Sequence, residues 1–277
     1  MAVETTTDEA ADLARFLDAV VDRYGYDLRG YAPESLRRRV GATLRQSGIS
    51  SLPELQRRSL ADPALFRRVL DSLTVRVSEM FRDPSFYRAF RARVVPLLRG
   101  QDRVNIWHAG CSSGEEVYST AIVLAEEGLF DRCQIYATDL SPLAIENAKL
   151  GVYPVDDFAT LCGRYQAAGG AFDLARYVTE AYGRISFRES LRGHVLFFQH
   201  DLVGDHLFEE MDVIFCRNVM IYFGRALKEQ VLTKLADGMR PAGFLCLGRS
   251  EHLSGTVRRR FADFAPSERI YRVGPAA

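Results

Sequence analysis

The sequence predicts an α/β protein in which a mainly parallel sheet, covered by helices on both faces, follows a small helical domain. Two observations carry this prediction. Apolar residues in roughly the first hundred positions recur at the spacing of amphipathic helices. From residue 103 onward, short apolar runs alternate with helical stretches, which is typical of βαβ units and of a parallel sheet.

The N-terminal part is expected to be helical. Its first segment shows the i, i+3, i+4, i+7 pattern in Leu13, Phe16, Leu17, Val20, Val21 and Tyr24. A second helix is expected at residues 33–48 and a third at residues 63–73. A fourth helix is expected to begin behind Asp83, which precedes a proline and has the residue type of a helix cap. We therefore predict a helical domain over residues 1–90.

The second helix carries arginines opposite its apolar stripe. At about 100° per residue, Arg38 and Arg45 lie on the face away from Leu36, Val40 and Leu44. A basic helical face of this kind is most often simply solvated, and that interpretation stays open from the residues alone.

The predicted strands are five short apolar runs, RVNIWHA, QIYATD, VLFFQHD, DVIFCRN and FLCLG. Helices are expected at residues 115–127, 142–150 and 226–238. A turn at residues 241–243 and the final ERIYRV predict a closing hairpin with an antiparallel strand. Residues 151–194 do not fit the alternation, and we interpret them as an insertion, with YQAAGGAFD as a loop and RISFRES as a small strand. The domain that contains the sheet is expected to span residues 91–277.

Composition excludes several classes of function. Lys+Arg and Asp+Glu are both 36, so the zero net charge gives no field that recruits nucleic acid or an anionic membrane. No apolar run reaches the roughly 20 residues of a membrane-spanning helix, and the N-terminus does not resemble a signal peptide. The five cysteines include no CxxC pair, so we expect reduced thiols, a cytoplasmic protein and no metal. The histidines show no i,i+4 ligand pair and are expected to be structural or surface residues.

The stretch WHAGCSSGEEVYS, residues 107–119, predicts a strand, a glycine loop and a helix start. A pyrophosphate needs a positive helix start, which Glu115 and Glu116 oppose, and the spacing is not GxGxxG. An acidic start suits a ligand with hydroxyl or ammonium groups and no phosphate. Asp139 ends the next strand, where a carboxylate can accept hydrogen bonds from ribose hydroxyls. Asp201 ends a further strand, where it could meet an adenine amino group.

Together these features describe S-adenosylmethionine and favour a methyltransferase over a dehydrogenase. Each residue also has a purely structural interpretation, because acids at strand ends often cap helices. Asp139 precedes Ser-Pro at a predicted helix start, which is a good context for such a cap.

Longer blocks of the sequence resemble one family. LTVRVSEMFRDPSFY, WHAGCSSGEEVYS, YATDLSPLAIENAKLGVYP, DVIFCRNVMIYF and GRSEHL are similar to the chemotaxis-receptor methyltransferases (the CheR type), over nearly the whole chain. The resemblance implies a class I, Rossmann-like methyltransferase fold: a mixed seven-stranded sheet, a small N-terminal helical domain and a small β insertion. It also implies methyl transfer from S-adenosylmethionine to glutamate side chains on the cytoplasmic helical bundles of chemoreceptors, with S-adenosylhomocysteine as the product.

The resemblance implies a set of site residues as well. Arg82 and Tyr222 would face the reacting end of the cofactor. The cofactor-binding residues would be Arg76, Ser78, Arg82, Gly110, Glu115, Asp139, Asp201, Leu202, Arg217 and Asn218. The family usually has Thr at Ser78, which keeps the hydroxyl. It usually has Asn at Arg76, so that position adds a charge where a neutral amide is expected.

The basic helix and the insertion bear on the partner. In the family the N-terminal helices lie against the receptor, so Arg38 and Arg45 would orient its acidic helical surface. Members that tether to a receptor's C-terminal peptide carry a Gly-x-Gly loop in the β insertion. The corresponding EAYGRISF lacks it, which argues against peptide tethering. We expect a monomer that neither inserts into the membrane nor binds nucleic acid.

Two alternatives stay open. A methyltransferase of the same fold could act on a small molecule or on nucleic acid, although no Asn-Pro-Pro-Tyr-type base-flipping motif is present. A signalling scaffold that binds S-adenosylmethionine without catalysis is the other alternative. Arg82, Asp139 and Tyr222 argue against a scaffold, whereas Arg76 keeps that alternative open.

Overall fold

The computed structural model describes residues 2–74, 78–206, 208 and 210–274, with side chains described from residue 8 onward. The α-helices are α1 (Ala2–Tyr24), α2 (Pro33–Ser47), α3 (Leu52–Ala61), α4 (Pro63–Leu73), α5 (Pro84–Ala89), α6 (Val95–Leu98), α7 (Glu115–Glu126), α8 (Pro142–Leu150), α9 (Phe158–Ala167), α10 (Glu189–Arg192) and α11 (Arg225–Asp237). The strands are β1 (Val104–Ala109), β2 (Cys133–Asp139), β3 (Val152–Pro154), β4 (Val178–Ala181), β5 (Arg184–Phe187), β6 (Val195–Gln199), β7 (Met211–Cys216), β8 (Met239–Leu247), β9 (Phe261–Ala265) and β10 (Ile270–Val273). Over these residues, none of the helices combines the length and the apolar character needed to cross a membrane.

Helices α1–α4 form the small helical domain around one apolar cluster. Phe16, Leu55 and Leu70 are almost fully buried in it, and Tyr24 stacks on Phe66 with ring centroids 3.7 Å apart. The predicted helices α1, α2 and α4 are confirmed. The sequence does not predict α3, because few residues of LPELQRRSLA are apolar enough to show a stripe.

The fourth predicted helix is present as α5, but the predicted cap is wrong. Within the described residues, the Asp83 carboxylate makes no bond to the N–H groups of the helix start. Asp83 has a left-handed φ of 56°, and its Oδ2 accepts a hydrogen bond from Arg217 at 2.9 Å. The carboxylate therefore binds a buried arginine from a distant part of the chain. The residues around Asp83 cannot show this contact.

The main sheet has seven strands in the order β6–β2–β1–β7–β8–β10–β9. The first five are parallel, and β10 is antiparallel to both of its neighbours. This confirms the mixed seven-stranded sheet and its closing antiparallel strand. The turn expected at residues 241–243 lies inside β8, where Ala242 has a φ of 63° and the pairing with β7 shifts register. The edge strand β9 is not predicted from the sequence.

The β insertion is confirmed as a three-stranded antiparallel sheet in the order β3–β5–β4. Part of its predicted loop is wrong, because α9 continues to Ala167. Tyr165 is buried, and its ring centroid lies 5.3 Å from that of Phe81. This packing holds the last turn of α9 in place. The division of the chain at residue 90 stays a prediction.

The loop between α1 and α2 joins the helical domain to the sheet. Tyr31 and Phe223 form an antiparallel bridge, and Gly224 N–H donates to Gly30 O at 2.8 Å. A Cβ on Gly224 would lie 2.9 Å from that oxygen, so the close approach of the two backbones requires glycine. As a result, α2 begins beside the carboxyl ends of the parallel strands.

Candidate functional site

The cavity that most of the predicted site residues line, called the main cavity, lies at the carboxyl ends of the parallel strands, where open α/β sheets bind ligands. It holds about 950 Å³ of empty space, its open mouth included. The predicted site residues that line it are Ser78, Arg82, Gly110, Asp139, Asp201, Leu202, Arg217, Asn218 and Tyr222. Arg76 lies outside the described residues.

Backbone hydrogen bonds to β2 fix the glycine loop that follows β1. The N–H groups of Gly110 and Cys111 both donate to Thr138 O at 2.8 Å. Gly110 has a φ of 78°, and a Cβ there would lie 2.5 Å from a methyl carbon of Val219. Only glycine therefore allows this loop to pass close to the segment that follows β7.

Asp139 joins the glycine loop to the start of α8. Its Oδ2 accepts from Ser112 N–H at 2.8 Å, and its Oδ1 accepts from Ser141 N–H at 2.9 Å. Burial raises the pKa of this carboxyl, and the two backbone hydrogen bonds oppose the rise. A carboxylate offers about four lone-pair sites, so Asp139 can still accept from a ligand hydroxyl. Asp139 does not cap α8 as interpreted, because the cap is Ser141, whose Oγ accepts from Ala144 N–H at 3.2 Å. The ribose contact of Asp139 stays a prediction.

The two glutamates at the start of α7 have different partners. Glu116 lines the main cavity, bonds to Arg217 at 2.7 Å and approaches His108 Nδ1 at 3.3 Å. Burial raises the pKa of Glu116, but Arg217 and His108 outweigh this effect, so the pKa is lowered. Glu115 accepts from Ser113 Oγ and lines a neighbouring cavity beside the β insertion. The predicted cofactor contact of Glu115 stays a prediction.

Arg217 is a buried cation held between two carboxylates. Its side chain is 1% exposed, bonds to Asp83 and Glu116, and lies with Cζ 4.0 Å from the ring centroid of Phe86. The arginine thus ties the segment before α5 to the start of α7. Because two carboxylates already neutralise its charge, the structure supports a positioning function, and a direct cofactor contact stays a prediction.

Glu251 organises the turn after β7, although the sequence patterns do not single it out. Its carboxylate accepts from the N–H groups of Asn218 (2.7 Å), Met220 (2.8 Å) and Gly248 (2.7 Å). These bonds hold Asn218 at a left-handed φ of 61°, with the residue in the cavity wall. The GRSEHL block contains this glutamate and is the sequence signal for it.

On the β6 side, the cavity wall contains Asp201 and Leu202. Asp201 Oδ1 accepts from Val203 N–H at 2.8 Å, and burial raises the pKa of its carboxyl. His200 Nε2 lies 2.8 Å from His206 O. The other ring nitrogen of His200 is buried and has no hydrogen-bond partner within the described part of the chain. Most buried polar atoms in native structures have a hydrogen-bond partner, and an ordered water or a bound group can supply it where the protein does not.

Tyr222 lies on the α2 side of the cavity. The Cζ atom of Arg39 lies 4.1 Å from the centroid of its ring, and its carbonyl accepts from Ala32 N–H at 2.9 Å. Burial raises the pKa of the Tyr222 hydroxyl, while the positive charges of Arg39, Arg82 and Arg38 oppose the rise. Cations around a protonated hydroxyl make this side of the cavity suitable for an anionic group.

Arg39 is a site residue that the sequence patterns do not single out. It lines the cavity and is only 6% exposed. Its Nη1 donates to Leu73 O, whereas Nε and Nη2 have no hydrogen-bond partner among the residues that the structure describes. The sequence feature that could have indicated a buried arginine is the run of three arginines, Arg37–Arg39. Three successive residues cover about 200° of a helix, so one of them must approach the apolar stripe.

Arg38 and Arg45 are exposed on α2, as predicted. The Arg45 guanidinium lies along the helix, 3.5 Å from where a Cβ on Gly41 would be. The charge of Arg38 acts on the hydroxyl of Tyr222 and opposes the rise of its pKa. The function of Arg38 and Arg45 in receptor binding stays a prediction.

Comparison with known proteins decides the family. The model for the CheR methyltransferase all-alpha domain matches residues 11–74, and the model for the CheR methyltransferase SAM-binding domain matches residues 76–269. The chain belongs to the CheR methyltransferase family. It is therefore a methyltransferase that uses S-adenosylmethionine, with the helical domain and the Rossmann-like domain of that family.

Several curated relatives of this CheR protein span nearly the same length. Over 273 residues it is 41% identical to the putative methyltransferase Cher3 of Pseudomonas putida, with 98% of this chain and 99% of the relative covered. Over 233 residues it is 34% identical to the chemotaxis protein methyltransferase Cher2 of the same organism, with 78% and 81% covered. A chemotaxis protein methyltransferase of Listeria innocua is 30% identical over 252 residues, with 89% and 92% covered.

The chemistry of the cavity fits the cofactor. Asp139 and Asp201 offer carboxylate oxygens, and Ser112 Oγ is a second buried wall atom without a hydrogen-bond partner in the described residues. The Glu116 carboxylate at the helix start disfavours a phosphate. No group of three or more His, Cys, Asp or Glu that could hold a metal occurs in the described part of this CheR chain.

Proposed function

We propose that this CheR protein methylates glutamate side chains on the helical bundles of chemoreceptors in the cytoplasm. The products are glutamyl methyl esters and S-adenosylhomocysteine. Curated relatives are named chemotaxis protein methyltransferases, which supports the receptor as the partner. The observation that carries the choice of a carboxylate is Arg39, a buried cation in the cavity wall whose Nε and Nη2 have no partner among the described residues.

The proposed reaction needs no general base. S-adenosylmethionine supplies a methyl group on a positively charged sulfur. A glutamate side chain has an ordinary pKa near 4.3, so at neutral pH its carboxylate is already an anion. The protein has to take that anion out of water and orient one of its oxygens. Orientation of this kind accounts for a large share of the rate enhancement in many enzymes.

Arg39, Arg82 and Tyr222 supply that orientation in the proposal. A guanidinium can bind a carboxylate at two points through parallel N–H groups, and Nε with Nη2 of Arg39 forms such a pair. The raised pKa of Tyr222 keeps its hydroxyl protonated, so it can donate a further hydrogen bond. Because the guanidinium of Arg39 stacks on the Tyr222 ring, the two groups fix each other's position.

The surface outside the cavity supports a helical, acidic partner. Arg38 and Arg45 are exposed on α2, and the charge of Arg38 acts on the hydroxyl of Tyr222 in the wall of the cavity, whose mouth is open. A receptor helix that lies along α2 would place an acidic side chain at that mouth. The zero net charge of the chain gives no comparable attraction to nucleic acid.

A competition between substrate classes tests the proposal. The protein is incubated with S-adenosylmethionine that carries a labelled methyl group, in parallel with a purified receptor helical bundle, with nucleic acid and with a small-molecule extract. We expect label in the receptor bundle alone. Label in nucleic acid or in small molecules would contradict the receptor as the substrate. Cofactor binding without transfer to any of the three would indicate a scaffold.

A further inference from the structure

We infer that Tyr31 of the helical domain is part of the cofactor site and binds the adenosine half of S-adenosylmethionine. The inference deepens the proposed function and rests on its cofactor. It concerns a residue outside the part of the chain that forms the sheet, in the loop between α1 and α2. It would make the helical domain a component of cofactor binding as well as of receptor binding.

The position of Tyr31 is fixed from two directions. Its backbone pairs with Phe223 in the antiparallel bridge, and its ring meets the ring of Phe223 edge-on, with centroids 4.9 Å apart and an interplanar angle of 65°. Its side chain lines the main cavity together with residues of the parallel strands. A tyrosine held in this way does not have to be ordered by the ligand.

Tyr31 lines the cavity together with Asp139 and Asp201, and the charges of both carboxylates act on its hydroxyl. Burial raises its pKa, and the negative charges of Asp201 and Asp139 raise it further, while Arg39 has a smaller and opposite effect. The charges of the two carboxylates therefore affect the pKa of the Tyr31 hydroxyl more than the charge of Arg39 does. The hydroxyl stays protonated at every physiological pH, so it is available as a hydrogen-bond donor.

A donor at this place complements the two carboxylates. When they are ionised, Asp139 and Asp201 accept hydrogen bonds and donate none. They therefore suit the ribose hydroxyl hydrogens and the adenine amino group. Adenosine also has acceptors, namely the ring nitrogens of adenine and the oxygens of the ribose. Tyr31 supplies a donor for one of these acceptors, beside the same two carboxylates. A cavity wall with both acceptors and a donor discriminates adenosine from a merely cationic ligand.

The inference also links the cofactor to the receptor-facing helix. Tyr31 lies two residues before α2 begins at Pro33, and α2 carries Arg38 and Arg39. A ligand that contacts Tyr31 therefore contacts the segment that leads directly into α2.

Calorimetric binding of S-adenosylhomocysteine to the full chain tests the inference. Tyr31→Phe removes the hydroxyl and keeps the ring on Phe223, and we expect affinity to fall by roughly three- to tenfold, as for the loss of one neutral hydrogen bond. Tyr31→Ala should weaken binding further. The matched control is Tyr26→Phe, because Tyr26 lies in the same loop, its hydroxyl accepts from Gln199 at 2.6 Å, and it does not line the described cavity. That control should bind like the wild type.

A second ligand locates the contact. Methylthioadenosine has the adenosine half and lacks the amino-acid half, so Tyr31→Phe should weaken its binding by the same factor. Wild-type affinity for both ligands in Tyr31→Phe would overturn the inference. A loss for S-adenosylhomocysteine alone would place Tyr31 at the amino-acid end and would also overturn it. Failure of the wild type to bind either ligand would reject the cofactor itself, and is thus distinguishable from failure of Tyr31.

Discussion

Asp139 carries two functions at the scale of a single residue. Its carboxylate holds the glycine loop and the start of α8 through two backbone hydrogen bonds, and it also lines the cavity. Substitution to alanine should therefore lower both the free energy of unfolding and the affinity for S-adenosylhomocysteine. Loss of a charged hydrogen bond of about 1–3 kcal/mol corresponds to about tenfold or more in affinity. Calorimetry measures the affinity and urea unfolding measures the stability.

Asp62→Ala is the matched control for Asp139→Ala. Asp62 caps α4 by accepting from Ala64 N–H at 2.8 Å, and it does not line the described cavity. Its loss should cost about 1 kcal/mol of stability without changing the affinity. Equal affinities in the wild type and in Asp139→Ala would contradict the assignment of this carboxylate to the ribose.

Arg39→Met separates methyl transfer from cofactor binding. Methionine keeps an unbranched apolar side chain in the buried position but removes the guanidinium that we propose to bind the acceptor carboxylate. Turnover on the receptor bundle should fall about tenfold or more, the equivalent of a charged hydrogen bond. The affinity for S-adenosylhomocysteine should stay near that of the wild type. The neighbouring exposed Arg37, changed to Met in the same way, should retain nearly full turnover.

Sequence spacing could find some of these residues and not others. Gly110, Asp139 and Asp201 stand at the ends of predicted strands, and the carboxyl ends of parallel strands meet at one edge of a sheet. Glu115 and Glu116 are adjacent at a helix start, so the sequence does not show which of the two lines the main cavity. Glu116 does so, and it bonds to the distant Arg217. Arg39 is buried because it packs on Tyr222, in a distant part of the chain. The residue pattern of α2 alone cannot show this contact.

At the scale of elements, a buried ion-pair network ties α5 and α7 to the end of β7. Arg217→Met would leave the carboxylates of Asp83 and Glu116 without their buried cation. Removing one partner of a buried ion pair typically costs about 3–5 kcal/mol, so we expect a loss of that order in urea unfolding at neutral pH. The exposed pair of Arg58 with Glu54 is the control, and Arg58→Met should cost less than about 1 kcal/mol.

The pH dependence of this loss has a definite sign. Arg217 and His108 lower the pKa of Glu116 in the folded protein. The stability that this pairing contributes is therefore present above the ordinary pKa of glutamate and is lost as the pH falls through the lowered value. The gap between wild type and Arg217→Met should be largest at neutral pH and should narrow in acid. A gap that widens in acid would contradict the pairing.

The exposed face of α2 should act on the receptor and not on the cofactor. Changing Arg38 and Arg45 together to Glu should raise the receptor concentration needed for half-maximal methylation, because like charges would then face an acidic surface. Wild-type methylation should also weaken as salt is added, since exposed charges are screened. Normal receptor methylation by the double variant would show that this face is only solvated.

Elements with a strong pattern are predictable from this sequence, and weakly patterned ones are not. The five parallel strands are apolar runs, and β1 and β7 in the middle of the sheet are buried on both faces, which a sequence shows directly. Edge strand β9 has Asp263 within FADFA and is only partly buried, so it lacks that signal. Ala242 lies in a bulge within β8, although the neighbouring proline and glycine predict a turn, because pairing with β7 continues past the irregularity.

At the scale of the whole molecule, the site is completed where the helical domain meets the sheet. Tyr31 and Arg39 come from the helical domain, and Tyr222 and Phe223 come from the segment after β7. The backbone hydrogen bond from Gly224 N–H to Gly30 O holds these two parts together. The sequence shows which elements form the helical domain and the sheet, but it does not show which residues of the two come into contact. For this reason the strand-end residues that line the cavity could be predicted, whereas Tyr31 and Arg39 could not.

The stability of the transferred methyl group in base shows whether its acceptor is a glutamate carboxylate. A receptor helical bundle is labelled by the purified protein from S-adenosylmethionine with a labelled methyl group, and is then treated with mild base. We expect base to release the label as volatile methanol, because base hydrolyses a glutamyl methyl ester. We also expect a bundle with Gln in place of the acceptor glutamates to take up no label. Base-stable label, or equal labelling of the Gln bundle, would contradict methyl transfer to a glutamate carboxylate.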